Sequence, residues 1–318
     1  MHKGSLTMSS GDPSTPPCKV LIRSKKVLHL FTIGGAGNKV TLLENCATTL
    51  QTLAPDGSVT YVHVSGVGIV KCDLTNPSTI SEPKAFLENS QGVQMLDLSP
   101  SAKYILTWER YYADKCPRNL KVWESTGKFL ASFTQKNISR EGWPYLQWTF
   151  DERFAFLLAS TQVRVYKAAD IQSCDGSEPR FVQKVQVPCS ALSLPRHSKE
   201  MAYYCTVFSP KTKDKPATTS IYEYRNDKME CKAAKSLFQA EECVTHWSPT
   251  GTACLLSLQT AVDATGQSYY GSSLLWLWNT VNNDIMAVPL PQEGPVHAVE
   301  WVPNPDKPPS FVAVAGRM

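Results

Sequence analysis

The feature that most constrains the fold is a short motif that recurs along the chain at intervals of 45 to 54 residues. Each copy is a brief apolar stretch that ends in a proline or a phenylalanine and is followed by a polar turn. In most copies a large apolar residue stands two positions earlier, as Trp148 does before Phe150. This period-two spacing indicates a β-strand. The six copies are Leu50–Gly57, Met95–Lys103, Leu146–Arg153, Leu192–Lys199, Thr245–Gly251 and Val299–Asp306.

Each motif is followed by further strand-like runs, so that several repeats contain four strands. In the fourth repeat, for example, where residues 19–49 count as the first, Phe154–Ala159 and Val163–Tyr166 follow the motif that contains Phe150. Four strands per repeat of this length are typical of a propeller blade. One such blade cannot bury both of its faces alone, so neighbouring blades must pack against it. The alternative, an array of β-sandwiches, would leave the recurring motif unexplained.

We therefore predict an all-β fold, a WD40-like β-propeller with about six complete four-stranded blades and part of a seventh. Residues 1–18 are rich in Ser, Pro and Gly and predict a disordered N-terminal segment, while residues 19–318 form the propeller. The sequence stops inside the seventh repeat, so we expect an incomplete ring with an open edge.

Composition favours a cytoplasmic globular protein. Apolar residues make up 42% of the chain and charged residues 19%, with a net charge of +4, which permits nucleic-acid binding without requiring it. Apolar runs are strand-sized, well below the roughly 20 residues that a membrane helix needs. The ten cysteines are scattered and contain no CxxC pair. We predict reduced, largely buried thiols.

Motifs for catalysis or cofactor binding are weak. The Gly34–Lys39 turn lacks the spacing of a phosphate-binding loop, and the six histidines show no metal-ligand spacing. The run that begins at Asp263 has an extra alanine compared with the Asp-Thr-Gly loop of aspartic proteases, and no second copy supplies a paired carboxylate. We expect no enzymatic activity, no cofactor, no metal and no small-molecule substrate.

Three long connections provide the candidate binding residues. They are Glu109–Arg118, Ser209–Thr219 and Thr260–Ser273, each between the second and third strands of a predicted blade. Equivalent positions predict that the three connections project from one face, where loops on a rigid scaffold commonly bind partners. The alternative is that they are solvated hairpin tips. The candidate residues are Arg110, Tyr111, Tyr112, Lys115, Arg118, Lys211, Lys213, Lys215, Asp263, Tyr269 and Tyr270.

Several of these segments resemble a known family. The run Val262–Gly271 closely resembles a signature loop of eukaryotic translation initiation factor 2A, and Gly294–Trp301 resembles the next blade opening of that family. Leu98–Pro100, Asn119–Trp123 and Ser132–Lys136 follow in the same register. Members of the family carry a nine-bladed propeller followed by a Lys-rich tail, whereas this sequence ends within the seventh repeat.

The resemblance implies a cytoplasmic factor that associates with the small (40S) ribosomal subunit through rRNA and ribosomal proteins. It further implies GTP-independent delivery of initiator tRNA on particular mRNAs. The candidate residues would then be ribosome contacts without a catalytic role. The alternative is a generic WD40-type scaffold that joins proteins without contacting RNA.

Overall fold

A computed structural model describes residues 18–33, 38–140, 142–173, 181–184, 188–198, 202–237, 240–259, 273–290, 294–303 and 308–316. These residues form β-strands and one short 3-10 helix, Ala168–Ser173. The predicted all-β class is therefore confirmed. Residues 1–17 of the predicted disordered segment lie outside the described residues, and the first strand begins at Cys18. The chain divides into two compact units, Met1–Phe129 and Leu130–Met318.

The first unit contains three antiparallel sheets. The first sheet consists of β1 (Cys18–Arg23), β2 (Val27–Ile33) and β3 (Asn38–Glu44). The second sheet consists of β4 (Thr48–Leu53), β5 (Val59–Val64) and β6 (Gly68–Asp73). The third sheet consists of β7 (Val93–Leu98), β8 (Tyr104–Glu109), β9 (Leu120–Glu124) and β10 (Phe129–Phe133), and the unit boundary falls within β10.

The second unit contains four antiparallel sheets. The fourth sheet has β11 (Leu146–Trp148), β12 (Phe154–Ala159), β13 (Gln162–Lys167) and β14 (Phe181–Lys184). The fifth has β15 (Ala191–Ser193), β16 (Tyr203–Ser209), β17 (Ala217–Arg225) and β18 (Lys228–Leu237). The sixth has β19 (Glu242–Trp247), β20 (Ala253–Gln259), β21 (Ser273–Asn279) and β22 (Ile285–Ala287). The seventh has β23 (Val296–Trp301) and β24 (Phe311–Ala315).

The third to sixth sheets have the predicted four strands, joined in simple up-and-down order. The first and second sheets have three strands each within the described residues. The segment after β6 first pairs with the first sheet, and further along the Phe86 amide donates to the Ile69 carbonyl of β6 at 2.7 Å. In the first sheet the Ile80 amide donates to the Leu42 carbonyl at 2.9 Å, and Leu43 and Ile80 form a parallel bridge. Parallel pairing over such a distance in sequence leaves no local pattern for a prediction to use.

Neighbouring sheets within each unit share apolar cores. In the first unit, Leu30 and Val62 belong to one cluster, and Ile69 and Trp123 belong to another. In the second unit, one cluster contains residues of the fourth and fifth sheets, including the fully buried Phe156. Each sheet thus buries apolar faces against its neighbours, as the repeat argument requires.

An aromatic residue occupies the same register position on the third strand of four sheets. Trp123, Tyr166, Tyr224 and Trp278 lie opposite Ile105, Ala155, Tyr203 and Cys254 of the second strand, respectively. All four aromatic side chains are buried. Two of them differ in hydrogen bonding. The Trp123 indole donates to the Thr107 hydroxyl at 2.9 Å, whereas the Trp278 indole N–H has no acceptor among the described residues. Leu256 stands where Thr107 stands in the third sheet.

Substitution of Thr107 by valine tests the value of the Trp123 hydrogen bond. The change keeps the side-chain shape but leaves a buried indole N–H unpaired, so we expect unfolding free energy to fall by about 1–3 kcal/mol. In a Trp123→Phe background the same substitution should cost little, because no donor is then stranded. Urea unfolding of the four proteins in this cycle measures the coupling. An equal cost in both backgrounds would show that the hydrogen bond contributes nothing.

The nine cysteines among the described residues form no disulfide. Cys72, Cys189, Cys205, Cys243 and Cys254 are buried, whereas Cys18 and Cys231 are exposed. Burial raises the pKa of Cys205 and Cys254 and raises that of Cys243 to about 11. These thiols stay protonated at neutral pH and pack as small apolar side chains.

Candidate functional site

The predicted binding connections join second to third strands, as expected from the sequence. Residues 110–119 connect β8 to β9, and residues 210–216 connect β16 to β17. The third connection runs from Gln259, the end of β20, to Ser273, the start of β21. Its predicted contact residues Asp263, Tyr269 and Tyr270 lie outside the described residues. The common face of all three connections stays a prediction.

The 110–119 connection is an ordered hairpin. At its base the Glu109 amide donates to the Asn119 carbonyl at 3.1 Å, and the buried Asn119 side chain donates to the Glu109 carbonyl at 2.7 Å. Further out, the Tyr112 and Cys116 backbones pair in both directions, with N···O distances of 3.3 and 2.8 Å. Because its backbone groups are paired at two levels, the hairpin presents its side chains from a defined position.

A polar cluster stabilises the base of this hairpin. The Lys121 ammonium forms an ion pair with the Glu109 carboxylate, and both side chains are mostly buried. Burial and a hydrogen bond to Glu109 together raise the pKa of the Cys116 thiol to about 11. The thiol therefore keeps its proton at neutral pH and donates a hydrogen bond to the Glu109 carboxylate. Glu109 and Lys121 neutralise each other, so the positive charge available to a partner comes from other residues of the hairpin.

The outer part of the hairpin combines exposed cations with an aromatic ring. The Arg110 guanidinium lies 5.8 Å from the centre of the Tyr112 ring, and Tyr112 is 50% exposed. Lys115 is exposed, whereas Tyr111 and Arg118 are half-buried and engaged in contacts within the chain. A guanidinium beside an open tyrosine face can contact a phosphate, stack on a base or pack in a protein interface.

The 210–216 connection carries three exposed lysines, Lys211, Lys213 and Lys215. The Thr212 amide donates to the Lys215 carbonyl at 2.9 Å, and the Lys215 amide donates to the Thr212 hydroxyl at 3.2 Å, which closes a tight turn. None of the three ammonium groups forms an ion pair with a described residue. The turn is therefore a compact positive feature of the second unit, moderated by the neighbouring Asp214.

Two of the predicted connections leave the second unit at the same end. Ala217, at the start of β17, pairs with Leu237, at the end of β18, and a short segment leads from there to Glu242. Glu242 pairs with Gln259, which in turn pairs with Ser273. The turn that carries Lys211, Lys213 and Lys215 (the lysine turn) and the residues that bound the third connection, Gln259 and Ser273, thus lie at one end of the fifth and sixth sheets.

A basic hairpin tip that was not among the predicted binding residues lies at Arg23–Lys26, where β1 turns into β2. This tip lies at the same end of the first unit as the 110–119 hairpin, as a chain of contacts demonstrates. The hydroxyl of Thr48, at the start of β4, donates to the Ser24 carbonyl at 3.1 Å. Thr48 in turn pairs with Val64, the last residue of β5. Next to Val64, His63 makes a 3.0 Å contact with the Gln91 carbonyl, just before β7.

The register of the third sheet completes the path. Val93, at the start of β7, pairs with Glu109, where the 110–119 hairpin begins. A sequence signal for the tip exists, since Arg-Ser-Lys-Lys interrupts two apolar runs. It was missed because this first repeat lacks the proline motif.

Among the described residues no group of three or more His, Cys, Asp or Glu side chains is placed to hold a metal ion. Within the same residues no helix is long and apolar enough to cross a membrane.

Comparison with solved structures identifies the class of protein. A chain described as "Crystal structure of the eukaryotic initiation factor" matches with a TM-score of 0.68 at 24% identity, over 95% of this chain and 69% of that chain. The C-terminal WD40 domain of Sif2 matches with a TM-score of 0.54 at 12% identity, over 87% of this chain and 70% of that chain. At these identities the likeness establishes the fold alone. The protein is a WD40-like β-propeller protein.

Sequence comparison narrows the class. The family model for "Eukaryotic translation initiation factor eIF2A" matches residues 235–318. The eukaryotic translation initiation factor 2A of Dictyostelium discoideum is 29% identical over 311 residues, covering 96% of this chain and 48% of that protein. The factor 2A of Schizosaccharomyces pombe is 33% identical over 210 residues, covering 65% of this chain and 34% of that protein. The chain is similar to initiation factor 2A and spans about half or less of the length of these relatives.

Proposed function

We propose that this chain acts in the cytoplasm as a non-enzymatic translation initiation factor that binds the small ribosomal subunit and supports delivery of initiator tRNA. The observation that carries the proposal is the similarity to factor 2A along nearly the whole chain. The described geometry agrees with a docking role, because a well-ordered hairpin exposes Arg110, Tyr112 and Lys115.

The proposed contacts with rRNA and ribosomal proteins are the side chains of three connections. The hairpin of the first unit would contribute Arg110, Tyr111, Tyr112, Lys115 and Arg118. The lysine turn would contribute Lys211, Lys213 and Lys215, and the third connection Asp263, Tyr269 and Tyr270. Exposed cations on ordered loops suit the ribosome, whose surface is dominated by phosphate, and initiator tRNA and mRNA are further polyanionic partners.

Charge reversal in the first hairpin tests the proposal. We expect the double substitution Arg110→Glu and Lys115→Glu to weaken binding to purified 40S subunits by roughly three- to tenfold, since each exposed contact contributes about 0.2–1 kcal/mol and reversal adds repulsion. Sedimentation through sucrose cushions at several protein concentrations measures the affinity. Lys103→Glu with Lys128→Glu is the matched control, because these exposed lysines lie at the opposite end of the third sheet.

Unchanged 40S binding by the Arg110/Lys115 variant would remove this hairpin from the proposed site. Digestion of surface rRNA separates the proposal from a scaffold that contacts proteins only. Binding that survives mild RNase treatment and is insensitive to both charge reversals would favour the scaffold.

A further inference from the structure

The Arg23–Lys26 tip is held rigidly by its backbone. The Ser24 amide donates to the Val27 carbonyl at 2.9 Å, which closes the turn. The Thr48 hydroxyl donates a hydrogen bond to the Ser24 carbonyl, and the Cys46 amide donates to the Lys26 carbonyl at 3.0 Å. The Ser24 and Lys26 carbonyls are thus both hydrogen-bonded. The three basic side chains of the tip, Arg23, Lys25 and Lys26, are all exposed.

These three cations have no carboxylate partner among the described residues. Two other cations of the protein are neutralised locally. Lys121 pairs with Glu109, and Lys232 lies 2.7 Å from a Glu223 oxygen. Three adjacent like charges repel one another, and an anionic ligand would relieve that repulsion.

The same end of the first unit is positive in sum. Exposed carboxylates at this end are Glu44, Glu82, Glu88 and Asp114, and the exposed cations are Arg23, Lys25, Lys26, Lys84, Arg110 and Lys115. Apart from Lys84, the cations occur in two groups, one on the tip and one on the 110–119 hairpin, and the second group adjoins the open face of Tyr112. Separated cations beside an aromatic ring match a chain of phosphates with unpaired bases better than they match an acidic peptide, which has no planar groups to stack.

We propose that the Arg23–Lys26 tip and the Arg110–Lys115 segment form one binding track for single-stranded RNA. The cations contact the phosphate backbone, and Tyr112 stacks on a base. This inference rests on the proposed function and gives it a chemical partner on the first unit. The tip extends the surface well beyond the residues that the sequence indicated.

The test is the salt dependence of RNA binding by the full 318-residue chain. A fluorescein-labelled oligouridylate is titrated at several KCl concentrations and followed by anisotropy. Each phosphate contact on a single strand contributes about 0.7 to the slope of log K against log salt. The substitution Arg23→Ala, Lys25→Ala and Lys26→Ala should therefore reduce the slope by about 2. If replacing Arg23 disturbs β1, the Lys25→Ala, Lys26→Ala pair should still reduce it by about 1.4.

The matched control is Lys39→Ala, Lys103→Ala and Lys128→Ala, which removes the same charge from the opposite end of the first and third sheets. Its slope should equal that of the unmodified chain. Equal slopes for the tip variant and the unmodified chain would overturn the inference, as would equal losses for tip and control. Tyr112→Ala should weaken binding of oligouridylate but not of polyglutamate, and tip-dependent polyglutamate binding of equal strength would identify an acidic protein as the partner instead.

The two proposals fail separately. If the tip variant leaves the RNA slope unchanged while Arg110→Glu with Lys115→Glu weakens 40S binding, the RNA track is wrong and the initiation-factor proposal stands. If the slope changes but no variant affects 40S binding, the track binds RNA outside a ribosomal role.

Discussion

Replacement of Phe156 by alanine should lower the unfolding free energy by about 3–5 kcal/mol, because the ring is fully buried and its removal leaves a cavity. Phe156 lies on β12, and its ring meets that of Tyr224, on β17, edge-to-face with centroids 5.6 Å apart. The residue therefore joins the fourth and fifth sheets. Since a pair of blades is stable only through such contacts, the loss should spread to both sheets.

Hydrogen exchange can localise this effect within a chain of two units. Amides of β12, β13, β16 and β17 should exchange faster in Phe156→Ala, while those of β5 and β8 in the first unit should keep their protection. Phe156→Leu retains much of the volume and should cost no more than about 1.5 kcal/mol. If the alanine variant unfolds at the same urea concentration as the unmodified chain, the ring does not hold the two sheets together.

Replacement of Gly68 by alanine should cost about 3 kcal/mol or more. Gly68 has a φ of +116°, which L-residues rarely adopt, and a Cβ there would lie 2.4 Å from the Ser90 hydroxyl oxygen. That hydroxyl accepts from the Ile69 amide at 2.8 Å and donates to the Leu87 carbonyl at 2.7 Å. The substitution combines backbone strain of about 1–3 kcal/mol with the displacement of a buried hydrogen-bonding group.

Gly66→Ala is the control for strain alone. Gly66 also has a positive φ, +79°, but nothing lies within 4 Å of the added Cβ. We expect a cost of about 1–2 kcal/mol there. Urea unfolding of both variants separates the two contributions, and equal costs would show that the 87–90 segment moves aside without penalty.

Strands that coincide with short apolar runs between polar turns could be predicted closely from the sequence. Phe129–Phe133 and Phe154–Ala159 have the predicted bounds, because an apolar run and the polar residues that bound it are local features. β18, Lys228–Leu237, was not predicted. It is the outermost strand of the fifth sheet and largely exposed, so it needs no apolar alternation, and its pairing with β17 alone makes it a strand.

The candidate site was predictable only as positions along the chain. The sequence placed Arg110 to Arg118 and Lys211 to Lys215 between second and third strands, as the structure does. It could not show that Glu109 and Lys121 neutralise each other, because their ion pair depends on strand register. The sequence also could not show that Arg23 and Arg110 lie at the same end of the first unit, because that placement depends on contacts through Thr48 and Gln91.

The differing surroundings of the third-strand aromatic residues bear on how the repeats assemble. Trp123 needs the hydroxyl of Thr107, the Tyr224 hydroxyl donates to Asp227 at 2.7 Å, and Trp278 lies in an apolar site beside Leu256. Repeat proteins commonly misassemble when one repeat takes the place of another during folding. Here an exchange that moved β9 into the sixth sheet would place the Trp123 indole beside Leu256, without the hydroxyl acceptor that Thr107 supplies. Because a buried N–H without an acceptor costs free energy, the divergence between these two repeats disfavours that exchange.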